Sequence, residues 1–223
     1  MINAPSLANC DFMDLPDQVA QFVDAGVRFF HVDVMDQHYV PNLCFPVSFV
    51  ADLKRRYPQV VVDAHLMVSA PDVYLDRLAE AGADYVSFPS DATSVVRRTL
   101  GAIQERGMKA GVMINPSQRV DVIEPYLPYL DFVVLMTVEP GFAGQRFLPG
   151  SLERLDALVA MRTAAGSSML IEIDGGVDHE MGAECVRRGA DILVSGVFTV
   201  FGQPDGIVSA CHRFQAAMDA VER

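Results

Sequence analysis

The stretch HVDVMD, residues 31–36, reads as a buried strand with polar residues in it. Val32 and Val34 suit a strand covered on both faces. His31 and Asp33 do not, because an unpaired buried charge or imidazole is expensive. Side chains alternate across a strand, so His31, Asp33 and Met35 point one way and the two valines the other. The stretch DAHLMV, residues 63–68, repeats the arrangement: Asp63, His65 and Met67 share one face, and Ala64, Leu66 and Val68 share the other.

Outward from these two stretches, short runs rich in Val, Ile and Leu recur at about 2–7, 28–35, 60–68, 83–88, 108–114, 131–138, 169–174 and 191–196. Segments with helical spacing lie between them. In DLPDQVAQFVDAG, Leu15, Val19, Phe22 and Val23 share a face and Gly26 closes the helix. DVYLDRLAEAG closes at Gly82, SVVRRTLGAIQERG at Gly107 and HEMGAECVRRG at Gly189. Each of these glycines stands between a helix and a strand, where a left-handed residue is wanted.

Apolar strands alternating with amphipathic helices imply a parallel sheet covered by helices. Eight such units in 223 residues match a single-domain α/β fold, a closed (β/α)8 TIM barrel spanning 1–223. The alternative is an open doubly wound sheet. No GxGxxG follows the first strand, and polar residues end many strands rather than one switch point, which favours the barrel.

Composition narrows the function. Hydrophobic residues make up 51% of the chain, enough for a large core, and the net charge is −12. So acidic a protein is a poor partner for nucleic acid or an anionic membrane, where Lys and Arg supply the affinity. A small anionic substrate is still compatible, since backbone N–H groups can hold a phosphate. Cys10, Cys44, Cys185 and Cys211 form no CxxC pair and read as reduced thiols of a cytoplasmic protein. The start, MINAPSLANCDF, lacks the basic and apolar regions of a signal peptide, and no apolar run approaches the ~20 residues of a membrane span.

In a barrel, the faces defined above bring His31, Asp33 and Met35 from strand two and His65 and Met67 from strand three to the interior near the C-terminal mouth. Strand six adds Met136. In LIEIDGG, strand seven adds Asp174, with Ile171 and Ile173 outward. A lone buried histidine is more often a hydrogen-bonded core residue, and a lone methionine is packing. Two His and two Asp converging from three strands are different: they make a site for one divalent ion, Zn, Fe(II), Mn or Co. Three glycine-bearing loops follow the later strands: PGFAGQ (140–145), DGGV (174–177) and SGVF (195–198). Gly144, Gly176 and Gly196 would let backbone N–H groups approach a phosphate, although glycines also serve tight turns. Arg146 lies beside the first loop.

The chain resembles the ribulose-phosphate 3-epimerase family over nearly its whole length. The matching blocks are APSL (4–7), HVDVMDQHYVPNL (31–43), DAHLMV (63–68), AGADYV (81–86), KAGVMINP (109–116), LMTVEPGFAGQRFLP (135–149), IEIDGGV (171–177) and ILVSG (192–196). The resemblance implies a cytoplasmic isomerase of the pentose phosphate pathway that inverts C3 of D-ribulose 5-phosphate to give D-xylulose 5-phosphate through a 2,3-enediolate. It implies metal ligands at His31, Asp33, His65 and Asp174 and an acid/base pair at Asp33 and Asp174. It also implies substrate contacts at Ser6, His65, Met35, Met67 and Met136. Phosphate contacts fall on Gly144, Gly176 and Gly196 with their neighbours Gly141 and Val197. A homo-oligomer is expected.

Some positions depart from the family pattern. Gln37 stands where glycine is common, Phe88 where histidine is frequent, Asn9 and Cys10 in place of Ser-Ala, and Val197 where Ser or Thr is usual. PSLANCDFMDL and MTVEPGFAGQRFLP also resemble the allulose-6-phosphate 3-epimerase branch, which runs the same inversion on a ketohexose phosphate. Two other readings are weaker. The decarboxylases and synthases related to orotidine-phosphate decarboxylase carry a lysine in DxKxxD, whereas here Asp33-Val34-Met35-Asp36 has none. A non-catalytic sugar-phosphate-binding barrel would have no need of two carboxylates at a metal.

Overall fold

The structure is a computed structural model and describes residues 1–222. Eight parallel strands run in order around one sheet: β1 (Ile2–Pro5), β2 (Phe29–Met35), β3 (Val61–Met67), β4 (Tyr85–Pro89), β5 (Lys109–Ile114), β6 (Phe132–Met136), β7 (Leu170–Asp174) and β8 (Ile192–Ser195). β1 pairs with β8, and a parallel bridge between Ser6 and His31 draws the sheet together at the β1–β2 seam. The expected barrel is therefore present; seven strands lie inside their anticipated runs, and β4 extends one residue beyond its own, to Pro89.

The helices are α1 (Leu15–Asp24), α2 (Val47–Arg56), α3 (Leu75–Ala81), α4 (Val96–Glu105), α5 (Ser151–Ala164), α6 (His179–Arg188) and α7 (Gly206–Asp219). The helix-closing glycines Gly26, Gly82, Gly107 and Gly189 all take left-handed φ values, from 80 to 112°. The fifth unit departs from the regular pattern: β5 is followed by a 3₁₀ segment, Val120–Tyr129. Pro125 and Pro128 lie inside it, and proline lacks the N–H that an α-helical ladder needs.

The alternation in the strands separates an outer core from the barrel interior. Val32, Val34, Leu66, Ile171 and Ile173 pack outward beneath the helices. Met35, Met67, Met113, Phe132, Val134 and Met136 form a second cluster in the interior. Phe132 fills that interior so closely that a Cβ on Gly111 would sit 2.4 Å from its ring, which explains a glycine in mid-strand. The β2–β3 register then fixes the site. It sets His31 opposite Asp63, Asp33 opposite His65 and Met35 opposite Met67, while β6 and β7 set Met136 opposite Asp174.

Candidate active site and metal centre

Four side chains from three strands meet toward the C-terminal ends of β2, β3 and β7. His31 Nε2 lies 3.1 Å from His65 Nδ1, 3.6 Å from Asp33 Oδ1 and 3.8 Å from Asp174 Oδ2. His65 Nδ1 lies 3.4 Å from Asp174 Oδ2 and 4.0 Å from Asp33 Oδ1. One donor atom from each residue falls within 4.8 Å of all the others. Four donors at about 2.1 Å from a common tetrahedral centre stand about 3.4 Å apart, so this set fits a divalent ion in both spacing and chemistry.

Electrostatics gives a second test of that fit. Burial works to lower the His31 pKa, yet the charge and hydrogen bond of Asp33, followed by those of Asp63, carry it well above the ordinary value. Burial works to raise the Asp33 pKa, yet the charge and hydrogen bond of His31, with His65 and Ser6, bring it down to about 2. Ser6 Oγ donates to Asp33 Oδ2 at 2.7 Å. The cluster thus favours a positive charge among its donors, as a cation site should.

Above this floor lies a cavity of about 80 Å³ with an open mouth. Every expected substrate contact except His65 lines it: Ser6, Met35, Met67, Met136, Gly141, Gly144, Gly176, Gly196 and Val197, together with Asp33 and Asp174. His31 and His65 are fully buried and absent from that lining. Arg146 is exposed and also outside the lining. Of the positions that depart from the family pattern, Asn9 and Val197 line the cavity, and the Asn9 side chain donates to the Ser6 carbonyl at 3.1 Å. Phe88 and Cys10 instead belong to the outer core. Gln37 adopts the left-handed backbone, φ 61°, that a glycine there would serve.

The loop glycines differ in what they require. A Cβ on Gly176 would lie 2.3 Å from the backbone nitrogen of Phe147, so that position cannot accept a side chain without a shift. Gly144 faces open space. Its loop is closed by Gln145, whose Nε2 donates to the carbonyls of Glu139 and Phe142 at 2.6 and 2.9 Å.

Some participants had been given no role from sequence. Asp63 and Glu172, both fully buried, flank His31 Nδ1 at 2.7 and 3.0 Å. Burial, then the charge of Asp63, pushes the Glu172 carboxyl up to about 8. Met113 Sδ lies 2.9 Å from His65 Nε2. Thr137 Oγ1 donates to the carbonyls of Asp174 and Gly175, at 2.9 and 2.5 Å, and fastens the end of β7 to β6. Alternation in LIEID already places Glu172 on the Asp174 face. The Met113 and Thr137 contacts depend on packing between strands and leave no comparable mark in the sequence.

The four cysteines are all free. Burial pushes the Cys10, Cys185 and Cys211 thiols up to about 12. Among the described residues, no helix is long and apolar enough to cross a membrane.

Comparison with known proteins follows the same line. The model of the "Ribulose-phosphate 3 epimerase family" matches residues 2–201. Ribulose-phosphate 3-epimerase of Aquifex aeolicus (strain VF5) is 41% identical over 202 residues, covering 91% of this chain and 90% of that protein. Its counterpart in Bacillus subtilis (strain 168) is 39% identical over 203 residues, covering 91% and 93%. Among solved structures, 3-hexulose-6-phosphate synthase from Salmonella typhimurium superimposes with a TM-score of 0.74 over 100% of both chains. At 15% identity that likeness shows the fold alone.

Proposed function

From the premise that this chain belongs to the ribulose-phosphate 3-epimerase family, isomerases acting on carbohydrate phosphates, we propose that it interconverts D-ribulose 5-phosphate and D-xylulose 5-phosphate with one bound divalent ion. The observation that carries this reading is the meeting of two imidazoles and two carboxylates, with donor atoms within 4.8 Å of one another, at the floor of a cavity rimmed by glycine loops.

The proton on C3, beside the C2 ketone, is weakly acidic. A divalent ion held by His31, Asp33, His65 and Asp174, whether Zn, Fe(II), Mn or Co, supplies Lewis-acid stabilisation of the negative charge that develops when this proton leaves. Inversion needs one proton carrier on each face of the planar 2,3-enediolate. Asp33, which lines the cavity, accepts the proton. Asp174 returns one from the other face, and the roles exchange in the reverse direction. Met35, Met67 and Met136 exclude water and cannot themselves exchange protons. The backbone around Gly144, Gly176 and Gly196 holds the phosphate.

The names of the relatives support a ketopentose phosphate as substrate, and the ketohexose alternative is not favoured. The four free thiols suit a cytoplasmic protein. Exposed Phe12, Met13 and Leu43 support self-association as a homo-oligomer, to be measured by light scattering.

The test is a side-by-side measurement of kcat/KM on ribulose 5-phosphate and allulose 6-phosphate, with deuterium incorporation at C3 and metal analysis. The expected result is preference for the pentose phosphate, incorporation of label and one metal per chain. A protein without metal and without C3 exchange would not be this epimerase, and binding without exchange would identify a sugar-phosphate-binding barrel.

A further inference from the structure

We propose that Asp63 and Met113 are positioning residues that decide which ring nitrogen each histidine turns toward the metal site: Nε2 of His31 and Nδ1 of His65. The inference rests on the metal-dependent reading and adds to it two residues that are not ligands.

A neutral imidazole carries one proton, and only its other nitrogen can bind a cation. The partner on the far side of the ring makes that choice. On the far side of His31, Nδ1 meets Asp63 Oδ2 at 2.7 Å and Glu172 Oε1 at 3.0 Å. All three residues are fully buried, so no solvent competes. The Asp63 carboxylate accepts and holds the proton on Nδ1. Nε2 is left bare, pointing at His65, Asp33 and Asp174. The opposite tautomer would set a bare nitrogen against that carboxylate and put an N–H where a cation belongs.

His65 is turned the other way. Its Nε2 lies 2.9 Å from Met113 Sδ, and a thioether has no proton to give. The proton therefore sits on Nε2, and Nδ1 faces the site. His31 Nε2 and His65 Nδ1 oppose each other at hydrogen-bond distance, 3.1 Å, so a proton lies between them until a cation takes its place. The far-side partners thus build the appetite of the site for a cation. Asp63 Oδ1 and both oxygens of Glu172 make no hydrogen bond within the protein. Asp63 Oδ2, by contrast, makes a well-formed bond to the ring, so Asp63 rather than Glu172 orients His31.

The test uses the full chain, zinc-loaded and ¹⁵N-labelled. Long-range ¹H–¹⁵N spectra of the unaltered protein should place protons on His31 Nδ1 and His65 Nε2. In Asp63→Asn the introduced amide can donate to Nδ1 and favours the wrong tautomer. Its zinc Kd should weaken about 10- to 100-fold, with unchanged circular dichroism and a changed His31 pattern. Met113→Leu keeps the shape and removes only the acceptor; it should alter the His65 pattern and weaken zinc binding less. Glu172→Gln should keep the His31 pattern.

An unaltered zinc Kd in Asp63→Asn, or protons on the opposite nitrogens in the unaltered protein, would overturn the inference and leave the metal reading standing. Should Asp63→Asn fail to fold, Met113→Leu and the unaltered spectrum decide. An unaltered protein that binds no divalent ion would overturn the metal reading, and this inference with it.

Discussion

Asn42 Nδ2 donates to the carbonyl oxygen of Gly141 at 2.8 Å and joins the loop after β2 to the loop after β6. The same residue accepts Leu43 N at its side chain, at 2.9 Å, and Gln37 N at its carbonyl, at 3.0 Å. Gly141 also lies against Val40, which places the first glycine loop against the second strand's loop. Asn42→Ala should therefore raise KM for ribulose 5-phosphate about tenfold, the effect of one lost hydrogen bond of about 1.4 kcal/mol, with a smaller change in kcat. Steady-state kinetics read the split. An equal fall in kcat and kcat/KM would mean that Asn42 acts on the chemical step instead.

Asp174→Asn keeps the shape of the side chain and removes its capacity to carry a proton. Turnover should fall by about 10²- to 10⁴-fold or more, with unchanged far-ultraviolet circular dichroism. Loss of deuterium wash-in at C3 is the direct measurement. Near-normal activity would remove Asp174 from the acid/base pair.

Gly196 and Gly176 should respond differently to alanine. The nearest atoms to a Cβ on Gly196 would be those of the Asn9 side chain, from 3.5 Å, which is ordinary contact. Gly196→Ala should thus leave Tm unchanged while raising KM, because the methyl group occupies the space through which the phosphate approaches. Gly176→Ala should lower Tm, because its methyl would collide with the Phe147 backbone at 2.3 Å and its φ of 65° is left-handed. Calorimetry alongside kinetics separates the two effects.

Metal-stripped protein should lose stability as pH rises. Glu172 has an ordinary value of 4.5 and is pushed by burial and Asp63 to about 8. Between those values the folded state keeps a proton that the unfolded chain has released, so stability falls with rising pH. His31, also raised, adds a loss of the same sign above 6.5. Asp33 acts oppositely: its contribution is lost as pH falls from 3.8 toward 2. Tm measured across this range in Glu172→Gln should be flatter between pH 4.5 and 8 than in the unaltered protein. Parallel curves would contradict the assignment.

Gln37 is exposed and sits at φ 61°. Relief of its left-handed backbone in Gln37→Gly, about 1 kcal/mol, is nearly offset by the greater freedom of glycine in the unfolded chain. Gln37→Gly should therefore change the urea midpoint little. Gln37→Val should lower stability by about 1–2 kcal/mol, because a branched Cβ tolerates this conformation poorly.

Period-two alternation in HVDVMD, DAHLMV and LIEID, and helical spacing between the apolar runs, determined the barrel and the inward face of His31, Asp33, His65 and Asp174. Those patterns are local, and every residue pair they relate is within a few positions. What the tertiary structure decided is non-local. Register sets Asp33 beside His65 and His31 beside Asp63, and a shift of one residue would have turned each of these side chains to the opposite face. Packing decided that Phe88 and Cys10 lie in the outer core, away from the sugar phosphate, whereas Asn9 and Val197 meet the cavity. It also decided that Glu172 and Met113 stand behind the two histidines. The identity of an inward residue is fixed by its own strand, but its partner is fixed by how neighbouring strands slide past one another.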